Sequence, residues 1–413
     1  MKILYDCFSC SPYYGSDEGI GWFWPFYMRR YHEVWALVRN DRRPDIERYC
    51  KEHNIEDIHF IYCDIPEWMN FYYMRKQQNK NGTIDFLAYQ FLWQFPAYSA
   101  AKRVHKQVRF DIVHHVSTND FRLIGRLYRL GVPYILGPIG GAQETPEALR
   151  DYTCMYSKKE RLRTILNRLM TSLPGYKKAL NSAVKIYFSN PETEIYLASK
   201  IKNFSKCSLL TEIAYTEAQI VKIPQYHSKV KAAAMFLWAG RMEYRKGLEL
   251  LFDALDILPK DLDWQVVLCG DGTEREHYQE LCAARSYDER VYFMGKLSYE
   301  KMQEMYNKAD VFVFPSLRET TGTVIVEAMA HSLPVICLKR GGAALVVTDE
   351  TGFLISGDKR EDYINNFADA MIQCIQNQNI VKVKGMASVE RIRAAYTWEQ
   401  KVGAMANVYK DIL

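Results

Sequence analysis

The sequence predicts an α/β protein with two doubly wound parallel sheets, one per domain, facing a central cleft. Three observations carry that expectation. Its 413 residues make two or three domains at about 100–200 residues each. Short apolar runs alternate with helical stretches in two successive series along the chain. Loops rich in glycine and charge follow several of those runs, at the edge where such sheets bind ligands.

The first series begins with residues 1–8, MKILYDCF, a nearly continuous apolar run that reads as a central parallel strand. A turn-rich loop over 9–21 leads to a helix over 22–32. Further strands are expected at 34–38, 59–62, 112–116 and 134–136, with a long helix over 86–109 and final strands at 185–188 and 208–210. The second series places strands at 235–239, 265–269, 291–293, 311–314, 334–337 and 353–355. Helices start near Gly247, Arg275, Ser298, Gly322 and Lys359. A linker is expected around 213–231 and a last helix over 398–411. The domain expectation is therefore 1–223, 224–397, and a terminal segment 398–413.

Composition narrows the class. Hydrophobic residues are 48% and charged residues 25%, a globular balance that excludes a disordered, collagenous or multi-spanning chain. The longest uncharged apolar run, 86–101, is too short for a membrane span and holds two Gln and a Pro. The N-terminus reads as a strand, without the longer apolar core of a signal peptide. Ten Cys without a framework suggest free thiols in a reducing compartment, so a cytoplasmic protein is expected. The pair Cys7 and Cys10 has no second C-x-x-C to make a metal site. Net charge is +5, with +8 over residues 1–223 (31 Lys and Arg against 23 Asp and Glu) and −3 beyond. An anionic partner is expected for the first half.

The most informative stretch is 314–335, FPSLRETTGTVIVEAMAHSLPV. A strand ends at Phe314, a loop carries Glu319, Thr320 and Thr321, and a helix opens near Gly322 and Thr323 with Glu327 inside it. The helix start offers free N–H groups to a pyrophosphate. Thr323 and Glu327 share a helix face, and a carboxylate there can accept two hydrogen bonds from a ribose diol. Glu319 could reach sugar hydroxyls. In 238–247, WAGRMEYRKG, Arg241 and Lys246 suit a diphosphate. Gly270 and Gly272 in CGDGTERE make a tight turn over which a base could lie. This is not a dinucleotide fingerprint, because the third glycine is missing.

In the first series, Gly15, Gly19 and Gly21 of PYYGSDEGIGW permit close backbone approach. Asp17 and Glu18 are candidate acceptor-binding carboxylates, or equally a helix start. His114 and His115 close a strand, and strand alternation lets only one of them face the cleft. Gly140, Gly141 and Gln143 of GPIGGAQ form another exit on the same edge, a further candidate for acceptor binding. No metal site is expected; Asp261 and Asp263 precede a strand in an ordinary loop.

Taken together these stretches resemble glycosyltransferase family 4, the retaining GT-B family, over nearly the whole chain. The motifs are E-x7-E at Glu319 and Glu327 continued as EAMAHSLPVI, GRMEYRKG, and RGGAALVVTDETGFLI. PYYGSDEGIGWFW, HHVS and GPIGGAQETP look like the branch that builds bacterial surface polysaccharides. The resemblance implies two Rossmann-like domains, with the last helix crossing back onto the first. It also implies a UDP- or GDP-linked sugar donor and a glycan or lipid-linked acceptor, with no divalent metal or cofactor. By the same resemblance Glu327 would bind ribose, Glu319 the donor sugar, Arg241 and Lys246 the diphosphate, and Gly15 the phosphates. One of His114 and His115 would meet the transferred sugar. The chain departs from the family's His-x-His there, carries Thr320-Thr321 in place of Pro-Phe, and has Ser332 in place of Gly.

Residues 157–180, SKKERLRTILNRLMTSLPGYKKAL, set Leu162, Ile165, Leu166, Leu169 and Leu173 on one helical face among Lys158, Lys159, Arg161, Arg163 and Arg168. Such a stretch suits an anionic membrane surface. Nucleic acid is not expected, since no recognised binding module accompanies the basic residues. Competing expectations are a nucleotide-sugar epimerase on the same architecture and a non-catalytic carbohydrate or nucleotide binder. A nicotinamide oxidoreductase is disfavoured without G-x-G-x-x-G.

Overall fold

The protein is described by a computed structural model covering residues 1–66, 83–220, 233–287 and 289–413. It divides into two compact units. The first comprises Met1–Ala142, Arg163–Glu212 and Trp398–Leu413; the second comprises Gln143–Leu162 and Ile213–Thr397.

The first unit holds a seven-stranded sheet made of β1 (Lys2–Cys7), β2 (Glu33–Arg39), β3 (Ile58–Cys63), β4 (Ile112–Ser117), β5 (Tyr134–Ile139), β6 (Lys185–Phe188) and β7 (Cys207–Leu209). All neighbours are parallel, in the order β3-β2-β1-β4-β5-β6-β7. Helices α1 (Ser16–Met28), α2 (Arg43–Glu52), α3 (Thr83–Val108), α4 (Ser157–Ser172), α5 (Tyr176–Ser182) and α6 (Pro191–Ala198) punctuate the strands, residues 157–162 of α4 grouping with the second unit. Of β1 only Lys2 is not buried, which is why its sequence reads as an unbroken apolar run. The strand order reverses between β1 and β4, so the switch point falls at the ends of those two strands.

The second unit holds a six-stranded parallel sheet ordered β10-β9-β8-β11-β12-β13. Its strands are β8 (Ala234–Ala239), β9 (Trp264–Cys269), β10 (Val291–Gly295), β11 (Val311–Phe314), β12 (Val335–Leu338) and β13 (Gly352–Ile355). Helices α7 (Leu248–Asp256), α8 (Arg275–Ala284), α9 (Tyr299–Lys308), α10 (Thr323–Ala330), α11 (Ala343–Val346), α12 (Arg360–Gln376) and α13 (Gln378–Ala395) follow in turn. Here the switch point lies at β8 and β11.

The last helix, α14 (Trp398–Ile412), returns to the first unit as expected. Trp398 packs on Phe23 and Trp24 of α1, with ring centroids 5.2 and 5.9 Å away. Tyr409 anchors the other end. Its hydroxyl meets Tyr5 Oη at 2.8 Å and His114 Nδ1 at 2.5 Å, while His114 Nε2 meets the Gly137 carbonyl at 2.7 Å. A carbonyl only accepts, so Nε2 carries the proton and Tyr409 donates to Nδ1.

The structure departs from the sequence expectations in several places. Helix α1 starts at Ser16, not at residue 22, and ends at Met28, not at residue 32. Gly15 caps it in extended conformation and Asp17 and Glu18 occupy its first turn, where the helix end favours negative charge. The basic stretch is broken after Ser172, with Gly175 at φ 93° before α5. Residues 143–162, expected in the first domain, belong to the second unit. Leu149 and Tyr152 join its apolar core, and Tyr152 donates to Asp253 at 2.7 Å. The expected boundary at 223 lies outside the described residues, as does part of the expected linker; its described part, 213–220, also groups with the second unit.

Replacing Tyr409 by Phe leaves the His114 nitrogen and the Tyr5 hydroxyl without their shared partner. The expected loss is about 1–3 kcal/mol in urea unfolding. A loss under about 0.5 kcal/mol, the range of an ordinary surface change, would show that the chain of hydroxyls contributes little.

Candidate functional site

In the second unit the site is built from the loops that leave β8, β9 and β11. Backbone bonds weld them together: Met242 N donates to Asp271 O at 2.9 Å, Glu274 N to Met242 O at 3.1 Å, and Leu317 N to Arg245 O at 2.9 Å. Gly270 sits at φ 145°, and a Cβ there would lie 1.8 Å from the Gly240 carbonyl oxygen, so the turn admits no side chain. Gly272 follows in the same turn. Gly322, at φ 94°, caps α10, and a Cβ there would lie 2.8 Å from the Phe314 ring.

Glu319 is the centre of this edge. Its Oε2 accepts from Lys246 Nζ and, at 3.1 Å, from Arg245 Nη1. The Glu319 and Lys246 side chains are 19% and 11% exposed. Burial alone would raise the Glu319 carboxyl, but Lys246 and then Arg245 outweigh it and hold it at about 2. Burial pulls the Lys246 ammonium below its usual range, with Glu319 opposing. Arg245 also reaches Glu243 at 2.7 Å. Arg245 is a member of this group that the sequence reading missed, although it stands beside Lys246 in the same loop. Of the two cations expected at a diphosphate, Lys246 meets Glu319, while Arg241 is 74% exposed and pairs with Glu243 at 3.1 Å.

Glu327 lies one turn into α10 beyond Thr323. Its Oε2 accepts from Tyr306 Oη of α9 at 2.8 Å, and burial raises its carboxyl despite that bond. Nothing in the spacing of α9 announces Tyr306. Thr321 is buried, and Thr320 Oγ1 accepts from Gln143 Nε2 at 3.1 Å. Gln143, expected among acceptor-binding residues of the first domain, therefore stands in the second unit against the loop that carries Glu319. Residues 143–160 buttress that loop in other ways. Glu160 accepts from Tyr244 and Arg318, both at 2.7 Å, and the Tyr156 and Tyr244 rings stack at 3.9 Å.

In the first unit the candidates gather at the ends of β1, β4 and β5. His114 is fully buried with both ring nitrogens bonded, and burial pulls it down to about 3. It is a packing residue, and its expected share in catalysis is withdrawn. His115 faces the other side, where its Nδ1 meets Asp6 Oδ2 at 2.7 Å. Glu18 is held by Arg42 at 2.6 Å and by Arg39 at 3.5 Å, and Gly15 stands exposed at the start of α1. Asp17 shares that first helical turn, the helix-start place the sequence allowed. The Gly140 N–H donates to Asn119 O at 2.6 Å, and the Gly141 carbonyl accepts from Arg163 at 3.2 Å. Among the described residues, no group of three His, Cys, Asp or Glu is arranged to hold a metal ion, and no helix is long and apolar enough to cross a membrane.

Comparison with known proteins bears on the second unit first. Residues 220–384 match the family described as Glycosyl transferases group 1. A D-inositol 3-phosphate glycosyltransferase of Corynebacterium diphtheriae is 34% identical over 193 residues, 45% of this chain and 43% of that relative. The chain thus matches less than half the length of that relative. Among solved structures, the sucrose-phosphate synthase of Thermosynechococcus elongatus aligns over 100% of this chain and 98% of its own, with TM-score 0.65 and 19% identity. Anabaena HepE, solved in complex with UDP-glucose, aligns over 99% and 100%, with TM-score 0.56 and 16% identity. The fold is GT-B. Both sheets and the returning helix accord with it, and the group 1 match covers the edge that carries Glu319 and Glu327.

Because the Glu319 carboxyl is depressed in the folded chain, its contribution is complete above its ordinary pKa of about 4.3. The contribution is then lost as pH falls toward about 2. Glu319→Gln should cost about 3 kcal/mol at pH 7, because two cations lose their anion. That gap from wild type should shrink steadily below about pH 4, read by urea unfolding across the range. A gap independent of pH would contradict the electrostatic account.

Proposed function

We propose that this chain is a retaining hexosyltransferase of the glycosyltransferase family 4 kind. It moves a sugar from a nucleoside diphosphate donor to a hydroxyl of a glycan or lipid-linked acceptor in polysaccharide or glycoconjugate synthesis. The observation that carries the proposal is the grouping of Glu319, Lys246, Arg245 and Glu327 on one sheet edge, inside the group 1 match. The second unit would bind the donor and the first the acceptor. UDP is the first donor nucleotide to test, since HepE is described with UDP-glucose.

In the proposed reaction the bond from the sugar's anomeric carbon to the β-phosphate oxygen breaks. A bond from that carbon to the acceptor oxygen forms on the same face, and the acceptor proton passes to the leaving phosphate. Lys246, Arg245, Arg241 and the start of α10 would supply positive charge to the departing diphosphate, so the proposal calls on no divalent ion. Glu327 would accept from the ribose diol and Glu319 from donor-sugar hydroxyls. Gly270, Gly272, Thr320, Thr321 and Gly322 would line the donor. Asp17, Glu18, Gly140 and Gly141 stay assigned to the acceptor.

Helix α4 supports a place at an anionic membrane surface. It buries Asn167 and Thr171, while Ile165, Leu169 and the following Leu173 are 47, 57 and 39% exposed. Arg168, Lys177 and Lys178 flank them, and each cation near such a surface adds roughly 1 kcal/mol.

Two measurements follow. Calorimetric titration of UDP-glucose and GDP-mannose should show Glu327→Ala binding its donor about tenfold or more weakly than wild type. A change within about twofold, roughly 0.4 kcal/mol, would remove the ribose assignment. In co-sedimentation, phosphatidylglycerol vesicles should retain the wild type, and Leu169→Glu should lose most of that binding. Equal retention by neutral phosphatidylcholine vesicles would refute the electrostatic part.

A further inference from the structure

In the first unit a cleft lies between α3, the chain from Arg122 to Arg129 and the turn from α4 into α5. Phe91, Leu123, Ile124, Met170, Leu173 and Pro174 give it an apolar lining. Its volume of about 70 Å³ is several times the ~10–15 Å³ that one water needs. Walls this apolar offer water few partners, so the space suits a few carbons of a chain. Leu173 both lines the cleft and belongs with Ile165 and Leu169 to the exposed apolar set read above as facing a bilayer. The cleft therefore opens beside that face.

Arg126 and Arg129 line the same cleft. The Arg129 N–H donates to the Arg126 carbonyl at 3.1 Å beside the 3-10 turn over Leu127–Leu130. Side chains three apart on such a turn nearly eclipse, so both guanidinium groups leave it on one side. Arg126 lies 4.2 Å over the Phe95 ring and Arg129 Nε donates to Tyr128 Oη at 3.2 Å, contacts that steady both groups without neutralising them. Among the described residues neither pairs with a carboxylate, whereas Arg122 Nε meets both oxygens of Asp120 at 2.8 and 3.0 Å. An apolar slot beside two uncompensated guanidinium groups matches an amphiphile with a phosphate at one end. A free sugar or nucleotide would set its polar groups against carbon. The small volume suits an unbranched acyl chain better than an isoprenoid with its repeated methyl branches.

We propose that the cleft binds one anionic phospholipid, its phosphate gripped by Arg126 and Arg129 and the first carbons of one acyl chain lodged between α3 and the turn from α4 into α5. This adds a stoichiometric site to the membrane contact proposed for α4, and it does not depend on sugar transfer.

The test keeps bilayers out. Dihexanoyl phosphatidylglycerol, below its micelle concentration, is titrated into the full chain labelled with 13C-methyl methionine, Met170→Leu assigning the Met170 signal. Saturable binding of one lipid per chain, with movement of the Met170 signal, is expected. Arg126→Gln and Arg129→Gln should each weaken that binding about fivefold while the urea midpoint stays that of wild type. Dihexanoyl phosphatidylcholine and glycerol 3-phosphate should each bind about fivefold or more weakly than the phosphatidylglycerol. Equal binding of the phosphatidylcholine would overturn the anionic headgroup, and equal binding of glycerol 3-phosphate would reduce the cleft to a phosphate site. Tighter binding of geranyl phosphate would overturn the acyl chain in favour of a prenyl lipid. Binding that never saturates, or that leaves Met170 unmoved, would put the lipid elsewhere and sink the proposal. Vesicle binding that fails while this titration succeeds would remove the bilayer contact of α4 and leave the site standing.

Discussion

Glu319 carries a negative charge to a place where only 19% of its side chain meets solvent, and two cations from another loop make that possible. Removing either the carboxylate or Lys246 would leave an uncompensated buried charge, the costly half of any buried ion pair. The cluster also fixes geometry, since it ties the loop after β8 to the loop after β11 across the sheet's switch point. The bond from Leu317 N to Arg245 O repeats that tie in the backbone. On the proposed function, a diphosphate arriving there finds positive charge already oriented and partly desolvated, with little left to reorganise.

The first unit solves a different problem on the same architecture. Its switch-point strands carry polar side chains on both faces, and the pleat sorts them. Tyr5 and His114 both bond to Tyr409, in a chain of hydrogen bonds that runs on to the Gly137 carbonyl and pins α14. Asp6 and His115 leave on the opposite face, paired to each other, with Asp6 Oδ1 and His115 Nε2 lacking a hydrogen-bond partner among the described residues. A one-residue slip of β4 against β1 would exchange the two roles, so register decides which histidine is structural.

What could be read in advance follows from the range of each interaction. The strand positions within each series, the helix after Gly322 and the two glutamates eight apart are local patterns, and local patterns survive in a single sequence. Arg245 lay in plain view in GRMEYRKG, but spacing alone cannot tell which of three cations turns inward. Tyr306 on Glu327 and Asp6 on His115 depend on which strands and helices become neighbours, and no periodicity encodes that. Residues 143–160 show the same limit at the scale of a domain. Their sequence continues the first series without a break, yet Leu149, Tyr152 and Glu160 find their partners in the second unit. The start of α1 was ambiguous for a simpler reason: acidic residues after a glycine serve a helix N-terminus as well as a ligand.

The central claim is that the carboxyl edge of the second sheet receives a nucleoside diphosphate sugar. Hydrogen–deuterium exchange of the whole chain, with and without saturating UDP-glucose, or GDP-mannose if only that binds, tests it most directly. The account predicts slower exchange confined largely to 240–247, 270–274 and 319–328. Donor binding that leaves those segments unchanged and protects other parts of the chain would contradict it.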